Sequence, residues 1–513
     1  MPTTRTAVME DRLLTTDVVK LVQELVQRFG ARREDVLKEC VERLAAFRDG
    51  QVDRLEATRH IRDAEWKVDP VPAELLERRV ELLGGCGRQG LVQGMNAGAK
   101  SYIADLWNME LSDPASVMLA HRTLERAVDG RLAYVDAEGG RVRINPSSTT
   151  RLMLVPRPLH VVEGSVRAEG RPVPASFFDL AVYCHHNAVE LRVRQAGVYL
   201  YLRGVHGHAE ARLWKQLFEH IEGTLALPRG TIRATVMMDS LAAVLEADEI
   251  LFELSHHSAG LSLDPQAYAA DHIALFSAPD RPVLPDRERI GLNDHMLRSV
   301  SLMTIAVCHR RQAHAIGAPA FILPQDDRSK LKANYLEMIA DKEREAVDGH
   351  DGTLVGHPGL VGPAMTEFNK SMPRAHQMYY ERKNTVRPSD LVQRPEGPLT
   401  TNGLIATIRT VLRALAYRTL GHAVVVQGAR LHDRSSVRLS TLLLWQWTRS
   451  SYGVITDTGL EVHDDLMRYM IRKEGEKLFA REEDPALRKA GEQAVSVLTA
   501  TVLRAEVPED LLT

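Results

Sequence analysis

Cysteine is scarce and scattered in this chain of 513 residues. Its four cysteines, Cys40, Cys86, Cys184 and Cys308, form no C-x-x-C pair. That pattern argues against a disulfide framework and against a zinc ribbon, and a reducing cytoplasm is the expected compartment. No apolar run approaches the roughly 18 residues that cross a bilayer, so no membrane span is expected. The N-terminal stretch MPTTRTAVMEDRLLTTD lacks the basic-then-apolar order of a secretory leader. A dominant charge is missing too, since 65 Lys and Arg against 68 Asp and Glu leave a formal −3. With no long run of either sign, nucleic acid and acidic membranes are poor partners. What is present is a globular composition, 44% apolar and 26% charged. The length exceeds one ordinary core and implies a large domain with smaller ones appended.

The first 65 residues read as helices. Thr15 and Thr16 can cap a run in which Val18, Val19, Leu21, Val22, Leu25 and Val26 share an apolar stripe. A second amphipathic helix is expected over Glu34 to Phe47, and Pro70-Val-Pro72 closes the region. From about residue 90 short β-rich runs alternate with helical ones. The strand-like runs are Ser101–Leu106, Arg151–Val155, Val198–Leu202, Thr231–Met238 and His314–Ile316. The helical ones include Ala209–Glu222, Ser240–Leu254 and Asp294–Arg311. Such alternation over nearly 300 residues favours a (β/α)8 barrel. Leu331–Asp390 reads as polar and charged, and a helical region begins at Thr401, interrupted by the strand-like Ala423–Val426. There Val424-Val-Val-Gln-Gly-Ala-Arg-Leu-His-Asp433 sets one carboxylate, Asp433, in a loop ahead of a helix that carries Trp445-Gln-Trp447.

Several blocks resemble one known family. Asn96-Ala-Gly-Ala-Lys100, Pro174-Ala-Ser-Phe-Phe-Asp179 with His186-Asn-Ala188, and Glu210-Ala-Arg-Leu-Trp214 are three of them. Leu227-Pro-Arg-Gly-Thr-Ile-Arg-Ala-Thr-Val236, Cys308 to Gly317, Ala340 to Glu345, Asp348 to Thr353 and Pro395-Glu-Gly-Pro398 follow in order. With the Trp445-Gln-Trp447 helix they are similar, over nearly the full length, to malate synthases of the shorter A type. The resemblance implies an α/β fold, a TIM barrel with an N-terminal helical clasp (1–90), the barrel at 91–385 and a C-terminal helical domain (386–513). It implies a Claisen condensation of acetyl-CoA with glyoxylate, followed by thioester hydrolysis. Asp433 would be the base that enolises acetyl-CoA, and Pro395, Glu396 and Gly397 would shape the coenzyme A side. Such chemistry needs a carboxylate base, donors for the enolate oxygen, and a Mg2+ that grips glyoxylate.

The pattern breaks at the site. Where the family has R-P-R-G-W-H this chain has Val155-Pro-Arg-Pro-Leu-His160, so the first arginine has become Val155 and Arg157 is the candidate for its role. The family's metal-ligating glutamate becomes Asp239, and its aspartate falls on Ala267, with Asp264 and Asp271 nearby but off the aligned position. The acidic F-E-D-S stretch becomes Leu106-Trp-Asn-Met109, and P-K-x-E-S-H becomes Arg203-Gly-Val-His-Gly-His208. A weakened Mg2+ site is therefore expected, or a softer one using His206 beside Asp239. The alternative for His206 and His208 is a hydrogen-bonded structural role, and Cys308 is expected to be packed. The expected activity is carbon–carbon bond formation beside the thioester of acetyl-CoA or another acyl-CoA, with an altered keto or aldehyde acceptor. A non-catalytic or regulatory homologue, and a CoA-thioester lyase or hydrolase, are the alternatives. The oligomeric state is open.

Overall fold

The structure of the protein, a computed structural model, describes residues 12–111, 113–168, 170–324, 328–383 and 385–512, with side chains omitted at 328–334. Most of the N-terminal stretch examined for a leader, residues 1–11, lies outside them. The chain opens on helix α1, Thr16–Arg48, capped by the Thr15 hydroxyl, which accepts from the Val18 N–H at 3.2 Å. Two helices were expected here and one is found. Gly30 costs about 1 kcal/mol in a helix interior, yet the buried stripe Val22, Leu25, Phe29, Arg33, Val36 runs straight through it. Packing of that stripe overrides the local propensity.

Eight parallel strands close the barrel. They are β1 Val80–Gly84, β2 Ser101–Asp105, β3 Arg151–Val155, β4 Val198–Leu202, β5 Ile232–Met238, β6 Ser258–Leu263, β7 Ala315–Ala320 and β8 Gly352–Val355. Each strand pairs with its sequence neighbours, and β1 closes on β8 through Val80 opposite Thr353. Alternation sets the two faces: Met153, Val155, Tyr199 and Tyr201 fill the interior, while Leu152, Leu154, Leu200 and Leu202 meet the outer helices. Three strands depart from expectation, and the first is β6, Ser258–Leu263, which follows the expected helix Ser240–Leu254 where no strand was expected. β1 lies before residue 91, so the barrel begins inside the segment assigned to the clasp. β8 lies in the stretch that reads as merely polar.

Outside the barrel, α2 (Ala175–Val193) and α3 (His208–Thr224) pack against α1, which forms the clasp. Further along come α4 (Pro265–Phe276) and α5 (His295–Arg310). The C-terminal helices α6 (Thr401–Thr419), α7 (Arg434–Arg449), α8 (Asp464–Phe479) and α9 (Pro485–Val502) build a second core with α4. Trp445-Gln-Trp447 on α7 fixes this unit. The Trp447 indole N–H donates to the Leu284 carbonyl at 2.8 Å. Gln446 donates to Ser277 at 2.8 Å and accepts from the Leu284 N–H at 2.9 Å. The Trp445 N–H donates to the Arg504 carbonyl at 3.1 Å. Among the described residues no helix is long and apolar enough to cross a membrane.

Candidate active site

In a (β/α)8 barrel the groups that do chemistry stand at the C-terminal ends of the strands. Here β2 ends on Asp105, β4 is followed by Arg203, β5 by Asp239 and β6 by Asp264. These four are buried or nearly so. Asp433 comes down on them from the C-terminal unit. The hairpin Val425–Gln427 with Arg430–His432 delivers it to the N-cap of α7, where its Oδ1 accepts from the Ser436 N–H at 2.9 Å. Its Oδ2 accepts from Asn108 Nδ2 at 3.3 Å. Asn108 also donates to Ser435 Oγ at 2.7 Å, which in turn donates to Asp264 Oδ2 at 3.2 Å. The plug is thereby tied to the β2 loop and to the β6 end at once. Arg434 adds a stacked contact, its guanidinium 3.6 Å from the Trp107 ring centroid.

Arg203 is the one cation in this cluster of strand-end residues. Its Nε donates to Asp105 Oδ2 at 3.3 Å and its Nη1 to Asp264 Oδ2, while its Nη2 is buried without a partner. Asp105 is held further by the Trp107 and Asn108 N–H groups, both at 2.8 Å from Oδ1. A helix N-terminus ordinarily lowers a carboxyl. Asp433 goes the other way, up to about 7, because it is wholly buried and faces Asp264 and Asp105, with Arg203 only partly offsetting them. Asp239 is pushed up to about 6 by burial and by Asp264, offset by His206 and Arg203.

Arg157 does not stand where the sequence placed it. Its N–H and Nε donate to Asp179, its Nη2 donates to Asp179 at 2.7 Å, and its Nη1 donates to Glu163 at 2.7 Å. After Val155 the chain turns, and the guanidinium is drawn to the base of α2 by Asp179. Asp179 is held down to about 2 by that contact despite its burial. Arg157 is thus a buried ion-pair residue that closes the loop after β3. Removing it would strand two buried carboxylates, so Arg157→Met is expected to cost about 3–5 kcal/mol in a urea melt. A variant with unchanged stability and lost turnover would instead restore Arg157 to the site.

The remaining expectations divide. Val155 is fully buried in the apolar interior with Met153 and Tyr201. Ala267 lies in the first turn of α4, where its N–H caps on Asp264 Oδ1 at 3.0 Å. The carboxylate of this strand end therefore comes from Asp264, three residues early. Asp239 does face the cluster: its Oδ2 accepts from the Gly204 N–H at 2.7 Å and its Oδ1 is buried without a partner. His206 bonds Glu210 rather than a carboxylate at the mouth, and His208 bonds Glu246 at 2.7 Å. Cys308 is packed in α5 with its thiol pushed well up by burial. The turn at Pro395, Glu396 and Gly397 packs on the 285–289 loop. A Cβ at Gly397 would meet Pro285 at 3.0 Å, a tight approach that a side chain would crowd. A cavity of about 280 Å³ opens on the same 286–288 segment, lined in part by Arg287, Thr400, Gly403, Arg430 and His432. Arg203, Asp105 and Asn108 were not recognised as functional in the sequence. For Asp105 and Arg203 the signal was a position at, or one step past, the last residue of a barrel strand; Asn108 lies three residues beyond β2 and had no such signal.

Comparison with known proteins agrees with this architecture. Residues 151–394 match the family model described as malate synthase, TIM barrel domain. The chain is 32% identical to malate synthase of Myxococcus xanthus over 507 residues, 98% of this chain and 93% of that one. It is 32% identical to malate synthase A of Escherichia coli over 470 residues, 91% and 87% of the two chains. This chain belongs to the malate synthase family. The glyoxysomal malate synthase of Ricinus communis is as similar, 32% over 477 residues, covering 90% of this chain and 84% of that one. The family model spans β3 to β8 of the barrel, and the relatives match beyond it into the clasp and the C-terminal helices.

Proposed function

We propose that this malate synthase homologue condenses acetyl-CoA, or another short acyl-CoA, with a keto or aldehyde acceptor, using Arg203 where a metal ion would otherwise supply positive charge. The observation that carries the reading is the pairing of a buried carboxyl raised to about 7 with a buried guanidinium nitrogen that has no partner. Asp433 takes a proton from the carbon next to the thioester, which is the work of a general base with a pKa near the working pH. The developing enolate oxygen accepts from Arg203 Nη2, a preorganised donor shielded from water. The enolate carbon then attacks the acceptor carbonyl, and water cleaves the thioester to release free CoA and the hydroxy acid. The turn at Pro395, Glu396 and Gly397 and the neighbouring cavity form the acyl-CoA entrance, with Arg287 and Arg430 as the cations beside it.

The donors at the mouth are a poor match for magnesium. It takes oxygen ligands in near-octahedral geometry, usually one or two carboxylates with water and substrate. Among the described strand-end carboxylates only Asp239 Oδ1 is open; both oxygens of Asp264 are engaged, Ala267 offers none, and Arg203 already lies on the carboxylates. A guanidinium and a dication compete for one position. The donor set does not fit a magnesium centre, and no step here passes through one.

The test is thiol release from acetyl-CoA against a panel of 2-oxo acids and aldehydes, glyoxylate included, with EDTA or Mg2+ present. Release with at least one acceptor in EDTA supports the reading. No release with any acceptor, together with no acetyl-CoA binding in calorimetry, would leave the non-catalytic alternative. The rate should also rise with pH through about 7 and level off above it, because only the ionised Asp433 can accept a proton. A profile flat from pH 5 to 8 would contradict the role given to Asp433.

A further inference from the structure

A second constellation lies to the side of the barrel mouth, where the clasp meets the loop after β4. Cys40 projects from α1, His206 from that loop, and Glu210 from the first turn of α3. One ligand atom from each, the thiol sulfur, a ring nitrogen and a carboxylate oxygen, lies within 4.8 Å of the other two. Glu210 is buried, and its carboxylate accepts from the His206 backbone N–H and pairs with the His206 ring at 3.3 Å. All three residues line one cavity of about 260 Å³, to which His208, Glu246 and Arg43 also contribute. His208 is held by Glu246 at 2.7 Å, and Arg43 lies 3.9 Å from the same carboxylate with its Nε buried without a hydrogen-bond partner. The thiol, imidazole and carboxylate converge on one point with an open cavity on their remaining side.

We propose that Cys40, His206 and Glu210 bind one Zn2+ ion, with the fourth position open to the cavity for water or a small ligand. The ligand chemistry decides the metal. Thiolate with imidazole selects zinc and excludes magnesium, which takes oxygen only. Tetrahedral zinc holds sulfur at about 2.3 Å and nitrogen or oxygen at about 2.0–2.2 Å, which sets its ligand atoms roughly 3.3–3.8 Å apart. Closing the three from within 4.8 Å needs only small side-chain adjustments. Binding expels the thiol proton and the proton between His206 and Glu210, so affinity rises with pH. A cavity of about 260 Å³ has ample room for the water that completes the shell. The ion ties α1 to the loop that carries Arg203, two parts of the fold that meet at Cys40 and His206. Zinc here would therefore fix the clasp against the mouth.

Zinc titrated into EDTA-dialysed full-length protein, followed by calorimetry, tests this. One ion per chain is expected, with affinity lower by about 100-fold or more in Cys40→Ser and in His206→Ala. Co2+ in place of zinc should give a sulfur-to-metal charge-transfer absorption that Cys40→Ser lacks. Zinc should also raise the Tm of the unaltered protein by a few degrees and leave that of Cys40→Ser unmoved. Far-UV circular dichroism of each variant checks that it is folded. Equal binding by the unaltered protein and Cys40→Ser would mean adventitious histidine sites and overturn the proposal. So would absent zinc binding with rapid alkylation of Cys40, which would mark the trio as an activated thiol instead.

Discussion

Asp433→Asn should lower thiol release by about 10³-fold while leaving acetyl-CoA binding in place. A positioned general base contributes about 10²–10⁴. The amide keeps the shape and can still accept from the Ser436 N–H, so the cap on α7 survives. The same substitution should make the protein more stable, and the sign follows from the raised carboxyl. Between its ordinary 3.8 and about 7 the folded protein holds a proton on Asp433 that the unfolded chain has released. Stability from this group therefore falls as pH rises through that window, and the penalty is complete above pH 7. Asp433→Asn removes it. A Tm higher by a few degrees at pH 8 and little changed near pH 4 is the expected pair of values in calorimetric scans. A loss of stability at pH 8 would show that the charge on Asp433 is compensated better than its surroundings indicate.

Arg203→Met should be the most damaging single change at the mouth. It removes the donor assigned to the enolate oxygen, worth about 10²–10³ in kcat. It also strips Asp105 and Asp264 of the guanidinium that bonds both, at a cost of about 3–5 kcal/mol. The two effects separate on kinetics. Arg203 holds the Asp433 carboxyl down, so its loss should move the residual pH profile upward as well as lower kcat. Arg203→Lys keeps the charge but not the fork that reaches two carboxylates, and it should recover stability more than rate. If Arg203→Met lost stability but kept kcat and the pH profile in its folded fraction, Arg203 would be a structural ion pair and nothing more.

The sequence made the architecture legible where periodicity was strong. Val198–Leu202 alternates cleanly between the barrel interior and the outer helices, and its bounds agree in sequence and structure. Gly352–Val355 is four residues inside a charged segment, too short for a period to emerge, and it was missed. Val80–Gly84 was hidden by Arg78 just before it and Glu81 within it, which pair with each other inside the barrel. At the site, register proved a poor guide to direction. Arg157 sits two residues after an inward-facing position, yet Asp179 on α2 captures it. Ala267 aligns with a carboxylate, but the strand end supplies Asp264 instead. Both outcomes depend on partners distant in sequence, from Asp179 to Asn108 and Ser435, which no local pattern contains. Asp433 was legible because its anchor, Trp445 to Trp447, is local and each of the three side chains has a fixed partner.

The central claim is that Asp433 and Arg203 enolise an acyl-CoA without a metal. Deuterium entry into the methyl group of acetyl-CoA, followed by proton NMR in heavy water at neutral to mildly alkaline pH with EDTA and no acceptor, measures that step alone. Exchange that proceeds in EDTA, is unaffected by added Mg2+ and disappears in Asp433→Asn is the predicted result. A methyl group that keeps its protium in EDTA and exchanges only once Mg2+ is added would contradict it.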